Sequence, residues 1–321
     1  MITPAATDDY RFIHLSDPHL SIPRIHSYRD LLNKRLLGYL SWLKSRRKKH
    51  QQHILKSLLN GLDNTDFDQL VITGDLTHLG LPDEFQQVLD WLKPIADRKQ
   101  ITLVPGNHDA YARSDWTQTF SLWEDYMAPD FSARPRIKPF PSLRVRGSVA
   151  FIGLTSALPT SPLLATGTID PEQLSSLPNI LDDTAALGLF RVILLHHAPQ
   201  SRLREWRKRL TNTSELKQIL QKHGAEMILH GHTHQSSCHW LQVNDRSTAV
   251  QIPVIGAASA SATSNRKGSR ASYNHFLLQS HRDIWNIKFR IDTYQPVSRD
   301  FEPGKETVIT IPHSTSNGKP R

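Results

Sequence analysis

The chain has 321 residues, a formal charge of +9 and an isoelectric point near 9.7. A chain of this length can bury a sizeable core without disulfides. Its one cysteine, Cys238, rules out an intramolecular disulfide and a thiolate-rich zinc site. The positive charge favours an anionic partner such as a nucleotide, a nucleic acid or an acidic membrane surface.

The chain termini and hydropathy predict location and domain organisation. The first ten residues lack the basic-then-apolar order of a secretion signal, and the chain has no apolar run of about 18 residues. We therefore expect a cytoplasmic protein. We predict one domain over residues 1–312 with a helical insertion at 21–52, followed by a disordered tail at 313–321 that has no apolar residue to bury.

Short apolar runs alternate with helical patterns along the chain, which is typical of an α/β fold. The predicted strands of the first part are Phe12-Leu15, Leu70-Thr73, Ile101-Val104, Val149-Leu154, Val192-Leu195 and Met227-Leu229. Helices are predicted at 54–62, from Pro82 to just before Pro94, from Pro171, and at 214–223 with Gly224 as C-terminal cap. Further strands at 239–243, 250–255, 275–279 and 284–290 predict more antiparallel sheet after Gly231, with a loop at 257–272.

Metal-binding side chains follow five of these strands directly. The segments are Asp17-Pro18-His19, Gly74-Asp75, Gly106-Asn107-His108-Asp109, His196-His197 and Gly231-His232-Thr233-His234. Strand ends of an α/β sheet meet at one edge, so side chains that are distant in sequence can meet there. The sequence therefore predicts a metal site at this edge.

The spacing within the segments suggests how the ligands are shared. Asp17 and His19 are separated by one residue, so on an extended chain, where side chains alternate, both point the same way. The same holds for His232 and His234. Asp75 follows a glycine, and we expect its two oxygens to contact one cation each. Asn107 offers a neutral oxygen to a second ion.

The insertion carries a leucine stripe followed by basic residues. Leu32, Leu36, Leu40 and Leu43 share a helical face, and five basic residues lie within 44–50. Two interpretations are open. The stripe can pack on the core with a solvated basic segment behind it, which is the usual fate of such stripes. Alternatively, residues 31–50 lie on an anionic membrane or form a lid over the substrate.

The ordered segments resemble the calcineurin-like metallophosphoesterase superfamily over roughly residues 12–234. The resemblance implies a four-layer α/β/β/α sandwich that carries two metal ions. It implies that Asp17, His19, Asp75 and His234 bind the first ion, and that Asp75, Asn107, His196 and His232 bind the second. His196 is chosen over His197 because it directly ends the predicted strand. Oxygen and imidazole ligands suit Mn, Fe, Zn or Co equally well.

The resemblance also assigns the chemistry. His108 corresponds to the histidine that contacts the phosphate and can protonate the leaving oxygen, and we expect Asp109 to orient it by a hydrogen bond. A hydroxide that bridges the two ions then attacks phosphorus in line. The function expected is hydrolysis of a phosphoester by this mechanism.

The substrate is predicted less directly. The wording of Ser16-Asp17-Pro18-His19-Leu20 and Gly74-Asp75-Leu76-Thr77 is similar to bacterial cyclic-nucleotide phosphodiesterases, which favours a nucleotide-like phosphodiester. The basic insertion favours an alternative, a membrane-surface hydrolase similar to enzymes that cleave UDP-diacylglucosamine. Specific nucleic-acid binding is not expected, because aromatic and basic residues are not interleaved. A binding scaffold without catalysis is the non-enzyme alternative, and it should have lost ligands.

Overall fold

The computed structural model describes residues 9–130, 139–199, 203–245, 248–264, 266 and 268–313. Apart from His313, the tail predicted at 313–321 lies outside them. The strands are β1 (Tyr10–Leu15), β2 (Gln69–Ile72), β3 (Ile101–Leu103), β4 (Ser142–Arg146), β5 (Val149–Gly153), β6 (Phe190–Leu194), β7 (Met227–His230), β8 (Ser237–Asp245), β9 (Thr248–Gly256), β10 (Ser272–His281), β11 (Ile284–Gln295), β12 (Asp300–Glu302) and β13 (Thr307–Pro312).

These strands form two mixed sheets. The first has seven strands in the order β12-β11-β10-β1-β2-β3, with β13 also paired to β11. The second has six strands in the order β4-β5-β6-β7-β9-β8. Strands β1, β2 and β3 are parallel to one another, and so are β5, β6, β7 and β9. The parallel strands carry all five predicted segments at their carboxyl ends.

The helices are α1 (Arg35–Ser41), α2 (Arg47–Lys49), α3 (Gln52–Asp63), α4 (Pro82–Leu92), α5 (Glu124–Met127), α6 (Pro171–Ala186) and α7 (Thr213–His223). A π-helical turn, Trp42–Arg46, connects α1 to α2. Short 3-10 turns lie at Tyr28–Leu31, Arg98–Gln100, Trp116–Gln118, Phe120–Trp123 and Leu203–Lys208.

The two sheets share one core. Phe12 of β1 and Phe151 of β5 meet edge to face with ring centroids 5.6 Å apart. Because side chains alternate along a strand, β6 turns Val192 toward this shared core and Ile193 to the opposite face, where α6 and α7 pack. Leucines of α3 and α4 join the shared core. The predicted α/β class is confirmed, and these contacts support the predicted four-layer order.

The sequence-based elements agree with the structure except at the edges of the sheets. Helix α4 begins at Pro82 and α6 at Pro171, as predicted, and Gly224 ends α7 with φ 69°. Strands β4, β12 and β13 were not predicted. β12 and β13 lie at one edge of the first sheet and β4 at an edge of the second, where weak apolar alternation is tolerated because one side is solvated.

The leucine stripe of the insertion does not pack on the core, so the interpretation favoured by its pattern is wrong. Leu32 is 72% exposed and Leu36, Leu37 and Leu40 are also exposed, while Leu43 is half-buried. The opposite side of α1 makes the contact. Buried Arg35 donates through Nε to the carbonyl of Leu79 at 2.9 Å and through Nη2 to that of Gly80 at 2.6 Å.

Candidate metal centre

The backbone is strained where the predicted ligands lie. Positive φ angles between 40° and 67° occur at five of them: Asp17, His19, Asp75, His232 and His234. Only three other non-glycine residues of the described part share this feature, namely Leu163, Arg282 and Arg299. Left-handed backbone is costly for residues with a Cβ and collects at functional sites. The turns after β1, β2 and β7 thus direct these side chains inward.

Two glycines allow the segments to approach one another. A Cβ on Gly106 would lie 2.2 Å from Oδ1 of Asp75, and one on Gly231 would lie 1.8 Å from Oγ of Ser16. Neither position has room for a side chain. Glycine at these two positions therefore allows the turns at the strand ends to pack closely against one another.

The first group of ligand atoms belongs to Asp17, His19, Asp75 and His234, which offer atoms within 4.8 Å of one another. Oδ2 of Asp17 accepts the backbone N–H of His232 at 2.9 Å. Its Oδ1 lies 3.0 Å from Nε2 of His234, an ion-pair distance without hydrogen-bond geometry. Nδ1 of His19 donates to the carbonyl of Thr77 at 2.9 Å, which leaves Nε2 for a ligand.

The second group contains Asp75, His196 and His232, again within 4.8 Å. Nδ1 of His196 donates to the carbonyl of Thr73 at 2.6 Å. Nε2 of His196, Nε2 of His232 and Oδ1 of Asn107 are buried and have no hydrogen-bond partner. Unpartnered buried nitrogen and oxygen atoms are costly unless a cation satisfies them, so the donor set fits a divalent metal ion.

Asp75 belongs to both groups through one oxygen. Its Oδ1 accepts the N–H of His108 at 2.7 Å. Its Oδ2 lies 3.8 Å from Nε2 of His19 and 3.4 Å from Nε2 of His196. Oδ1 thus accepts an amide while Oδ2 faces both groups, a geometry that favours one shared oxygen over the expected use of a different oxygen for each ion.

The electrostatics of the site suit bound cations. Burial lowers the pKa of His19 and of His232 well below the usual range, so both rings are neutral, the form that binds metals. Burial opposes the charged form of His196, but the Asp75 carboxylate raises its pKa to about 9. Burial opposes the ionisation of Asp17, yet neighbouring His234 brings its pKa below the usual range. Positive charge is favoured between these carboxylates.

His197 has a different environment from His196. Its Nδ1 lies 2.7 Å from Oγ of Ser156 and its Nε2 lies 3.2 Å from the carbonyl of Ala165. A Cβ on Gly167 would be 2.2 Å from Nδ1. With both nitrogens engaged and the ring fully buried, His197 holds the loop between β5 and α6.

His108 contacts a backbone carbonyl through its Nδ1. Nδ1 lies 2.7 Å from the carbonyl of His78, so this nitrogen carries the proton and donates. The ring packs parallel to Tyr111 and edge-on to His19, with centroids 5.3 and 4.9 Å apart. Nε2 of neutral His108 is therefore left as an acceptor.

Asp109 does not orient His108, in contrast to the expectation. Its Oδ1 accepts the amides of Leu76 at 3.0 Å and Thr77 at 2.9 Å, and its Oδ2 accepts those of Asp75 and Gly106, both at 2.8 Å. Burial and the Asp75 carboxylate raise the pKa of Asp109 to about 7, while the amides lower it. Four amide donors fit the ionised form, which fixes the loop that carries Asp75.

Sequence reasoning missed supporting residues in the insertion and in the segment predicted as a loop at 257–272. Oγ of Ser259 donates to the carbonyl of Asp17 at 2.7 Å. Nδ1 of His50 lies 2.8 Å from Oγ of Ser261. The ring of His50 packs edge-on to that of His19 with centroids 4.5 Å apart. The small, polar composition of the loop was the only signal of this close packing.

One cavity borders the ligand residues, and a second is lined by chain neighbours of the Gly106–Asp109 segment. A cavity of about 320 Å³ lies between His19 and the insertion, with Trp42 and Gln51 in its lining. A larger, mainly apolar cavity of about 710 Å³ is lined by residues on both sides of the Gly106–Asp109 segment, Pro105 and Ala110, and by Phe140. Both have the size of an organic group of a small substrate.

Comparisons with known proteins place this site in a family. The family model described as calcineurin-like phosphoesterase matches residues 10–236. Two curated proteins, each named a probable cyclic nucleotide phosphodiesterase, come from Vesicomyosocius okutanii and Ruthia magnifica. Each is 24% identical over 233 residues, which are 72% of this chain and 85% of the relative.

A solved structure supports the fold. A dimetal phosphatase from Danio rerio matches with a TM-score of 0.53 and 14% identity, over 95% of this chain and 99% of that one. The expected superfamily is thus confirmed, and with it the prediction of a hydrolase over that of a scaffold. The chain belongs to the calcineurin-like phosphoesterase family and is a metal-dependent phosphoester hydrolase.

Proposed function

We propose that the protein is a dinuclear phosphodiesterase that hydrolyses a nucleotide-like phosphodiester. One observation carries the proposal: two groups of ligand residues, all buried except His234, share Asp75, whose Oδ2 lies 3.8 Å from Nε2 of His19 and 3.4 Å from Nε2 of His196. The first ion is assigned to Asp17, His19, Asp75 and His234. The second is assigned to Asp75, Asn107, His196 and His232.

When bound there, two cations would lower the pKa of a coordinated water and offset the negative charge of the phosphate. The chain's own residues do the rest. The carbonyls of Thr77 and Thr73 orient His19 and His196. His108 lies beside Asp75 and its Nε2 has no part in the contact with the His78 carbonyl, so a proton taken up there from solvent would let it donate to a phosphate oxygen. A proton held at Nε2 after substrate binds would pass to the leaving oxygen.

The nucleotide-like character rests on the relatives and the cavities. Both curated relatives are named for cyclic nucleotides. The cavity lined by Trp42 and Gln51 offers an aromatic face and an amide, which suit a nucleobase. Its position beside His19 places such a base next to the proposed centre.

The test is a substrate panel with metal-loaded protein. Protein loaded with Mn²⁺ or Fe²⁺ would be assayed on bis(4-nitrophenyl) phosphate, cyclic nucleotides and UDP-diacylglucosamine. We expect turnover of bis(4-nitrophenyl) phosphate and of at least one cyclic nucleotide, abolished in Asp75→Ala. Turnover of UDP-diacylglucosamine alone, or of no substrate in the panel, would contradict the proposal.

The exposed leucines support a second candidate, a hydrolase that acts at an anionic membrane surface. Leu32, Leu36, Leu37 and Leu40 are unpartnered, and Lys44, Arg47, Lys48 and Lys49 follow them at exposed positions. An apolar face beside a basic cluster is the pattern of helices that bind acidic lipid headgroups. None of the described helices combines the length and apolar character of a transmembrane span.

Vesicle co-sedimentation tests this candidate. The full chain is expected to sediment with vesicles that contain phosphatidylglycerol, and to be released at high salt as screening weakens the basic contacts. The double variant Leu36→Ser, Leu40→Ser should lose binding. The matched control Leu187→Ser, at an exposed leucine outside the insertion, should keep it. Equal binding by both variants would refute the membrane surface.

A further inference from the structure

Arg46 brings a cation from the insertion into the proposed centre. It lies in the turn Trp42–Arg46 and is half-buried. Its Nη1 is 3.1 Å from Nδ1 of His108. Burial lowers the pKa of Arg46 and the charges of Tyr111 and Asp75 oppose this shift, so the guanidinium lies within electrostatic range of Asp75.

The contact with His108 cannot satisfy Arg46. An arginine always donates, so a hydrogen bond to Nδ1 would need that nitrogen to be an acceptor. The same nitrogen lies 2.7 Å from the carbonyl oxygen of His78, and this contact is favourable only if the nitrogen donates a proton to it. Nδ1 of His108 therefore carries the proton. The guanidinium of Arg46 thus lies beside another donor and finds no acceptor there.

No other described residue supplies the missing acceptor. Within the described part of the chain, no carboxylate lies at ion-pair distance from Arg46, and His108 is the one hydrogen-bond contact of its side chain. Charged groups that are withdrawn from water normally have partners. An anion absent from the free protein is the simplest partner for a cation held at this position.

The insertion holds Arg46 in place by contacts on both sides. Nζ of Lys34 donates to Oγ1 of Thr160 at 2.7 Å and to the carbonyl of Leu164 at 3.1 Å. Next to it, Arg35 donates to carbonyls of the loop after β2. Beyond Arg46 in the chain, His50 contacts Ser261. The turn Trp42–Arg46 therefore lies between residues that are hydrogen-bonded to other loops on either side of it in the chain.

We propose that Arg46 binds a non-bridging oxygen of the substrate phosphate beside His108, so that the insertion completes the phosphate site. This inference rests on the proposed function. A guanidinium forms charge-assisted, directional hydrogen bonds to phosphate oxygens, which a lysine reproduces only in charge. The insertion thereby contributes a residue to phosphate recognition.

The test measures inorganic phosphate binding by calorimetry on Mn²⁺-loaded protein, together with metal content. Arg46→Gln is expected to weaken phosphate binding about 10- to 100-fold, with Arg46→Lys in between, while metal content is unchanged. The control Arg29→Gln changes an exposed arginine of the same insertion and should bind phosphate like the wild type.

Turnover adds a second measurement. With bis(4-nitrophenyl) phosphate, Arg46→Gln should raise KM or lower kcat by a similar factor, and Arg29→Gln should change neither. Phosphate affinity in Arg46→Gln equal to that of the wild type would overturn the inference. Because calorimetry needs no turnover, it decides on Arg46 even if the wild type proves inactive on every diester, a result that would contradict the proposed function alone.

Discussion

The role of Asp109 can be tested by the substitution Asp109→Asn. In the structure this carboxylate binds the loop that carries Asp75 and makes no contact that orients His108. The substitution keeps the size of the side chain and replaces one acceptor oxygen by an amide donor. We expect it to displace Asp75 and thereby to reduce metal binding at both proposed sites.

The magnitude follows from the four amides that Asp109 accepts. Whichever oxygen becomes the NH₂ group, two backbone N–H groups lose their acceptor and face a donor: those of Leu76 and Thr77, or those of Asp75 and Gly106. Each buried group left unsatisfied costs about 1–3 kcal/mol. The loop should therefore be destabilised by about 2–6 kcal/mol, a large part of a typical domain's stability.

Two measurements follow from this. Metal content per chain would be determined by mass spectrometry after loading with Mn²⁺ and desalting, and stability by urea unfolding of the metal-free protein. Asp109→Asn should lose metal and unfold at lower urea. Asp115→Asn is the control, because Asp115 also accepts a backbone amide, from Thr117 at 2.9 Å, but lies on the surface. It should leave both quantities unchanged.

The reasoning would be refuted by an Asp109→Asn protein with full metal content, unchanged stability and reduced turnover. That pattern would match loss of a group that orients His108, as the sequence alone suggested. Retention of metal with reduced stability would show that Asp109 supports the fold without positioning Asp75.

Three further predictions concern other contacts. Gly106→Ala should lower metal content, since its Cβ would lie 2.2 Å from Oδ1 of Asp75; full occupancy would show that the loop can yield. His108→Ala should keep metal and lose about 10²–10⁴-fold in kcat, and loss of metal would contradict its separate role. Glu226→Ala should cost about 3–5 kcal/mol in urea unfolding because it removes the bidentate partner of fully buried Arg191; an unchanged midpoint would speak against this ion pair as a stabilising contact.

Much of the site could be predicted because its residues follow strands of clear apolar pattern. The carboxyl ends of β1, β2, β3, β6 and β7 meet where the topology of parallel strands requires. The reason given for Asp17 and His19 was nevertheless incomplete. Strand alternation does not continue through them, because both have positive φ and lie in a tight turn. Their proximity results from that turn.

The remaining features depend on tertiary contacts without a local signal. Three of the four amides that the Asp109 carboxylate accepts belong to a loop more than 30 positions earlier in the chain, and nothing in the segment itself indicates them. The leucine stripe was misjudged because periodicity shows that a helix has an apolar face but not what covers it. Here Arg35 on the opposite side determines which face is buried.

The central claim, two metal ions that share Asp75, is tested most directly by anomalous diffraction from crystals grown with Mn²⁺. The account predicts two peaks, one among Asp17, His19 and His234 and one among Asn107, His196 and His232, with Asp75 Oδ2 between them. A single peak, or a peak bound by His197 in place of His196, would contradict it.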